Sequence, residues 1–399
     1  MDSSLGKLLV KPGGVACKHR DSIQGAENVS EDEVKSRHIG LSIAALVTVL
    51  VVVLAGCAPA QPTTPPATTP ATPTTSTAQP TTPQPTSGGK VYNWTWMGKQ
   101  PYTSAQAPVW QAMTEAITER SNGQIVIDCF HFGEHPYKPA DLLNIVQDGL
   151  TQMSNLQGVD MSGVAPIMGG MELPFMFPNI DSALKVKEAY LDELANPYLE
   201  KNHGVFVLAE WLLGGGSVHG KRELNSYDAC KGQKIRTFNT ETANMVTIMG
   251  GSPVTVEYTE IYSALERGVV DAAMTVVYGA YDSKWYEIID TTTLWDYFFG
   301  TDLTIVNQAA FNELPANLQT VVLDTAKEYE ATLQRDMNAR VYWAIAMAMY
   351  NYNAKVVAMD PEFRKSVAAQ LDSSVYQPWR DRAGAEGPAY FSLVKRVLG

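Results

Sequence analysis

Thirty-two consecutive residues, Ala58 to Gly89, contain eleven Thr and nine Pro and no charged side chain. A segment of that composition has too little apolar surface to bury and too few backbone donors to build a ladder, so it stays extended and polyproline-like. It divides the 399-residue chain, and a folded core has to come from one side of it. The 310 residues from Lys90 to Gly399 are enough for two lobes of ordinary domain size. The charge sits there too. Six basic and six acidic residues cancel over residues 1–56, so the net charge of −12 belongs wholly to the part beyond the Thr/Pro segment. With 30 Lys and Arg against 42 Asp and Glu, and no basic block, the chain lacks what neutralising a phosphate backbone requires, which excludes nucleic acid as a partner.

Ahead of the Thr/Pro segment, Ile39 to Ala55 is uncharged, follows Lys35, Arg37 and His38, and runs into Leu54-Ala55-Gly56-Cys57. A basic stretch, an apolar stretch and small residues before a cut are the three parts of a secretory signal. Residues 1–56 therefore read as a signal peptide, and Leu-Ala-Gly-Cys resembles the bacterial lipobox, after which Cys57 carries the lipid and 57–89 becomes a tether. The rival reading is an uncleaved membrane helix, since 17 apolar residues reach the lower limit for a span. Residues 1–38 are long and acidic for a leader, with Glu31, Asp32 and Glu33 before the basic cluster, so initiation at Val34 gives a leader of ordinary length. Cys17 leaves with the leader and Cys57 is lipidated. Cys129 and Cys230 lie in separate segments and read as two separate thiols rather than a disulfide; without any CxxC spacing they point to no zinc site.

In the folded part, Val91 to Trp96 reads as a strand, followed by a helix through Val109, Trp110, Met113 and Ile117, whose spacing keeps them on one face. Gln124 to Phe130 and Thr151 to Leu156 read as strands flanking a helix at Pro139 to Gly149, opened by Pro and closed by Gly. Further strands are expected at Gly204 to Trp211, Gln233 to Phe238 and Val270 to Val277, with helices at Thr240 to Met249 and Glu260 to Gly268 between them. Strand and helix alternate, which is the α/β class. From Ala316 to Met359 there is neither Gly nor Pro, and apolar residues recur at Leu318, Val321, Val322, Ala326, Tyr329, Leu333, Met337, Val341 and Ala344. That predicts one very long helix bracing two lobes.

Several blocks then add up. Asn122 to Phe130, Asp141 to Gly149, Leu173 to Phe177 (LPFMF), Lys231 to Arg236 (KGQKIR), Ile261 to Ala272 (IYSALERGVVDA) and Phe311 to Gln319 (FNELPANLQ) resemble, in order and spacing, the solute-binding proteins of tripartite ATP-independent periplasmic (TRAP) transporters. The resemblance covers most of Lys90 to Leu371. It implies an α/β, two-lobed periplasmic-binding-protein-like clamshell with hinge strands and a long helix crossing both lobes. Residues 90–213 plus about 295–330 would form lobe I, and 214–294 plus about 331–399 lobe II. It also implies a receptor rather than an enzyme, without cofactor or metal, monomeric and held outside the cytoplasm. Its partners would be one small, acidic organic ligand and the TRAP membrane subunits. Such a receptor changes its open–closed balance only through the ligand's preference for the closed form.

Arg236 ends a strand in KGQKIRTFNT, where the resemblance implies an Arg that pairs with a ligand carboxylate, and a guanidinium can give that group two parallel charge-assisted hydrogen bonds. A surface Arg paired with a nearby acid is the plain alternative. The chain departs from the family at two places. Gly214-Gly215-Gly216-Ser217 stands where many members carry a second Arg, and Met274-Thr275 stands where Glu-Asn is frequent, so the pocket is expected to be more apolar and less cationic. Trp96, Trp211, Phe238, Tyr258, Met274, Tyr278 and Tyr297 or Phe298 are its expected walls, with Gln157, Asn239 and Thr275 as polar contacts. Each aromatic, taken singly, is as well explained by core packing. The glycine run reads either as close backbone approach to a ligand or as a bend between lobes.

Two other classes remain. His131-Phe132-Gly133-Glu134-His135 matches the HxxEH pattern of a zinc-peptidase class, but that chemistry needs both histidines on one helix face, whereas this segment follows a strand, holds Gly133 and runs into Pro136. A zinc-dependent hydrolase is thus the distant alternative. A solute receptor serving an ATP-driven (ABC) importer or a sensor kinase is the nearer one.

Overall fold

The computed structural model describes residues 89–399 apart from Thr103 and Ala105; the signal peptide, Cys57 and the tether lie outside the described residues. Ten strands form the sheet system: β1 (Tyr92–Gly98), β2 (Ile125–Phe130), β3 (Met153–Gln157), β4 (Val205–Gly220), β5 (Lys234–Thr237), β6 (Ser252–Thr255), β7 (Ala272–Val276), β8 (Thr291–Leu294), β9 (Phe299–Asn307) and β10 (Lys355–Ala358). Their order is β2-β1-β3-β9-β4-β7-β5-β6, with β8 joining β4 to β10. β1 is parallel to β2 and β3, and β5 is parallel to β6 and β7, as helical crossovers demand. β9 and β4 run antiparallel to their neighbours.

Strand β4 is 16 residues long, well past the Trp211 end that its sequence suggests. The glycines do not stop it. Up to Gly215 it pairs with β9, and from Gly216 to Gly220 it pairs with β7, so one strand serves both halves of the sheet. The register shifts between Leu212 and Gly215, and Gly214 takes a φ of 92°, which only glycine adopts without strain. A Cβ on Gly216 would meet the Phe298 ring at 2.2 Å and Tyr297 at 2.6 Å. The run is therefore a bulge packed under two aromatic rings, which answers the choice between bend and ligand approach in favour of the bend.

Helix Ala316–Tyr352 has 37 residues and buries Leu318, Val322, Ala326, Leu333, Met337, Ala344 and Ala348 as one stripe. It ends before Met359 because Asn353 adopts a left-handed conformation that Asn tolerates, and the following valines enter β10. Polar ties recur along it: Glu328 with Arg120 (2.9 Å), Glu330 with Lys187 (2.5 Å), Gln334 with the N–H and carbonyl of Leu212 (2.9 and 3.3 Å), and Arg340 with Asp282 (2.6 Å).

Apolar side chains gather in three clusters. One holds Trp96, Trp110, Trp211 and Met274, another Leu156, Leu303 and Phe299, and a smaller one Ile261, Ala273 and Trp285. The last helices, Gln377–Arg382 and Glu386–Leu398, bury Trp379, Tyr390 and Leu393 in the second cluster. Trp379 donates to the Pro166 carbonyl (3.2 Å), Tyr390 to that of Gly170 (2.8 Å), and the Tyr390 ring meets Tyr190 at 5.7 Å, so the C-terminal end of the 331–399 grouping packs on residues of the 90–213 span. Cys129 and Cys230 are free.

Candidate ligand-binding site

Arg236 lies inside parallel strand β5, between β6 and β7, where both faces of a strand are covered, and is only 6% exposed. Its Nε donates to the Val256 carbonyl (2.9 Å) and its Nη1 to the Met274 carbonyl (3.2 Å). No carboxylate pairs with it among the described residues, and Nη2 makes no hydrogen bond there. Burial pulls the guanidinium below its ordinary range, with Tyr297, Tyr258 and Glu257 opposing. A buried cation whose hydrogen bonds go to carbonyls alone has its orientation fixed and no counter-ion in contact, which is the arrangement an anionic ligand completes.

Around it, Phe238 lies 5.6 Å from the guanidinium carbon and 5.6 Å from the Phe298 ring. Tyr258 donates to the Gly279 carbonyl at 3.0 Å and meets the Ser283 hydroxyl at 3.0 Å. Tyr297 is fully buried with its hydroxyl unpartnered, and burial drives the phenols of Tyr278 and Tyr297 well above their usual range. Met274 buries its side chain and contributes its carbonyl; Thr275 follows it in β7. The structure thus brings Arg236, Phe238, Tyr258 and Met274 together.

Other expected residues have different partners. Asn239 caps helix Thr240–Ile248: its side-chain oxygen accepts from the Thr242 N–H (2.9 Å) and hydroxyl (2.7 Å), so only its amide nitrogen stays available. Trp96 and Trp211 are fully buried on either side of Trp110, at ring distances of 5.7 and 5.6 Å. All three indole N–H groups lack a partner among the described residues. Gln157 accepts from Lys99 Nζ at 2.9 Å.

That last contact opens a second polar group, at the ends of β1, β3 and the middle of β9, which sequence reasoning missed. Lys99 Nζ also meets Asp160 at 2.5 Å. Asp302, fully buried in β9, accepts from Asn155 Nδ2 and, at 3.3 Å, from Gln100 Nε2. Glu172 accepts from the Val159 N–H at 3.1 Å, and its second oxygen is unpartnered. Desolvation pushes Asp302 up to about 7 and Glu172 up to about 8. In the sheet, Gln157 pairs with Asp302 and Asp302 with Trp211, so the three stand in one row. An Asp inside the otherwise uncharged run FGTDLTIVN was the available signal.

The HxxEH segment forms a loop after β2. Glu134 accepts the His131 N–H at 2.7 Å, His131 lies edge-on to Trp96 at 5.4 Å, and His135 Nε2 meets the Gly98 carbonyl at 3.0 Å, so the two rings face different neighbours. A hollow of about 300 Å³ beside it is lined by Tyr102, Glu115, Cys129, His131 and Glu134, between helix Ala107–Arg120 and β2, away from Arg236.

Comparison with known proteins gives one consistent result. The family model for DctP, bacterial extracellular solute-binding protein family 7, matches residues 100–379. The 2,3-diketo-L-gulonate-binding periplasmic protein YiaO of Escherichia coli is 24% identical over 299 residues, 74% of this chain and 88% of that protein. An extracytoplasmic solute receptor of Bordetella pertussis that binds pyroglutamic acid superposes with a TM-score of 0.69 at 21% identity, over 76% of this chain and all of that one. A TRAP periplasmic solute-binding protein of Roseobacter denitrificans with bound β-D-glucuronate gives 0.67 at 21% identity, over 76% and 98%.

Proposed function

Since the chain belongs to bacterial extracellular solute-binding protein family 7 and is an extracytoplasmic solute receptor of the TRAP type, we propose that it captures a small organic acid whose carboxylate is held by Arg236. The observation that carries this is the buried guanidinium: two backbone carbonyls orient it, and among the described residues no acid is hydrogen-bonded to it and one nitrogen is left to donate. The relatives known to bind pyroglutamate, glucuronate and 2,3-diketo-L-gulonate support an acidic ligand. Phe238, Phe298, Tyr258, Tyr278 and Tyr297 cover the remainder, and the loaded receptor delivers to an ion-gradient-driven permease. In the same reading the receptor is a monomer, Cys57 bears the lipid and the Thr/Pro segment tethers it to the outer face of the cell membrane.

The test is calorimetric titration of organic acids found by a thermal-shift screen. Arg236→Ala should weaken an acid that binds the wild type by roughly 100-fold or more, one buried charged contact. Unchanged affinity would remove Arg236 from the site.

A further inference from the structure

We propose that the hollow beside the loop after β2 is a second ligand site, separate from Arg236, and that it takes a small organic ammonium ion. Its two walls follow from periodicity. Gln111, Thr114 and Glu115, at i, i+3 and i+4, share one face of helix Ala107–Arg120, while Ile127 and Cys129 share one face of β2. Thr114 Oγ1 and Cys129 Sγ meet at 3.2 Å where the walls join. At about 300 Å³ the space lies at the lower end of ligand pockets, enough for an amine of a few carbons.

The lining carries negative charge and nothing to balance it. Glu115, Asp128 and Glu134 bring three carboxylates; among the described residues none of them forms an ion pair, and no Lys or Arg lines the space. Neutral donors position two of them: Glu115 accepts from Gln111 Nε2 at 2.9 Å and Glu134 from the His131 N–H at 2.7 Å. An independent sign comes from His131 itself, the first residue of the HxxEH segment. It lines the hollow with only 4% of its surface exposed, yet among the described residues neither ring nitrogen makes a hydrogen bond, and Nδ1 is fully buried. Burial lowers the proton affinity of the imidazole, with Glu134 opposing, so near neutral pH one of its nitrogens is an acceptor without a donor. Trp96 at 5.4 Å and Tyr102 at 5.2 Å meet the ring edge-to-face, which restricts its rotation toward any other partner. Charged and neutral acceptors around one space call for a donor that is also a cation. A metal ion is the poorer match, since among the described residues no three His, Cys, Asp or Glu side chains stand close enough to share one. An alkylammonium spreads its N–H groups and apolar stem over a wider space, with Ile127 and the exposed Tyr102 ring beside it.

The experiment titrates the full-length chain calorimetrically with butylammonium, with butanol as its uncharged counterpart, and with Zn²⁺. Butylammonium should bind at least about 10-fold more tightly than butanol, and the double variant Glu115→Gln, Glu134→Gln should lose about 10-fold of that affinity. Each glutamine keeps an oxygen that accepts the neutral hydrogen bond of the glutamate it replaces, so the fold is retained, and acid binding at Arg236 should change by less than about 2-fold. Alkylation followed peptide by peptide locates the site: butylammonium should slow the reaction of Cys129, which lines the hollow, and leave that of Cys230 unaltered. Failure of butylammonium to bind, butanol binding as tightly, undiminished affinity in the double variant or an unprotected Cys129 each overturns the proposal, and so does Zn²⁺ bound there in preference to the amine. Every one of these outcomes leaves the acid-receptor reading of Arg236 standing, because the two sites share no residue.

Discussion

Two charged side chains, Arg236 and Lys99, are held in opposite ways. Arg236 is fixed by backbone carbonyls of β7 and of the segment after β6, with no acid in contact, so its position is set by the sheet and its charge is left open. Lys99 is held by two side chains, Gln157 and Asp160, so its charge is already spent and the unmatched groups are the carboxyls behind it. The difference teaches that the side chain of the more visible sign is not always the one awaiting a partner. At one end the cation is the unmet group, at the other the acids are.

The sharpest break in this contrast is Arg236→Lys. The charge survives but the planar fork does not, and the shorter donor set cannot satisfy both carbonyls and a carboxylate; an acid should bind about 10- to 100-fold more weakly by calorimetry. A change under 3-fold would mean that charge alone matters there.

The acid end should announce itself through pH. Glu172 and Asp302 ionise near 8 and 7 in the folded chain, whereas unfolded carboxyls do so near ~4. Between those values the folded state binds more protons, so the stability these groups contribute is complete at low pH and is lost as pH rises toward 8. Glu210, fully buried with both oxygens unpartnered and also near 8, acts in the same direction. The melting temperature should fall from pH 5 to 8.5, and Glu172→Gln should flatten the slope by several degrees, since about 1 kcal/mol corresponds to a few degrees in a chain of this size. An unaltered slope would show that Glu172 is ionised in the folded protein.

The smallest effect separates capping from binding. Asn239→Ala should lower stability by about 1 kcal/mol in denaturant unfolding, the usual cost of a lost N-cap, while ligand affinity stays within about 2-fold. A large affinity loss at constant stability would return Asn239 to the ligand.

Much of this was legible in the sequence, and the limits have physical causes. The α/β alternation, the long helix and Arg236 at a strand end follow from periodicity and resemblance, because each is written locally. Asn239 stays double in the sequence because Asn-Thr-Glu-Thr reads equally as a ligand contact and as a helix start; the structure engages its side-chain oxygen in the helix start. Trp96 and Trp211 carry no local mark that distinguishes a pocket wall from a core side chain, and their packing on either side of Trp110 is a contact that no local pattern specifies. Asp302 and Lys99 come together from positions 203 residues apart, through strand pairings that no local pattern specifies.

Gly216 is roofed by Phe298 and Tyr297, so no side chain can be installed there while those rings remain. Replacing the ring and filling the glycine are each unfavourable alone, and mutations at the two positions must be strongly epistatic. A lineage that gave up a cation at this point and let the rings settle would find the way back closed to any single step. A library varying residue 216 by itself should return almost only glycine, and variation returns when position 298 is diversified with it.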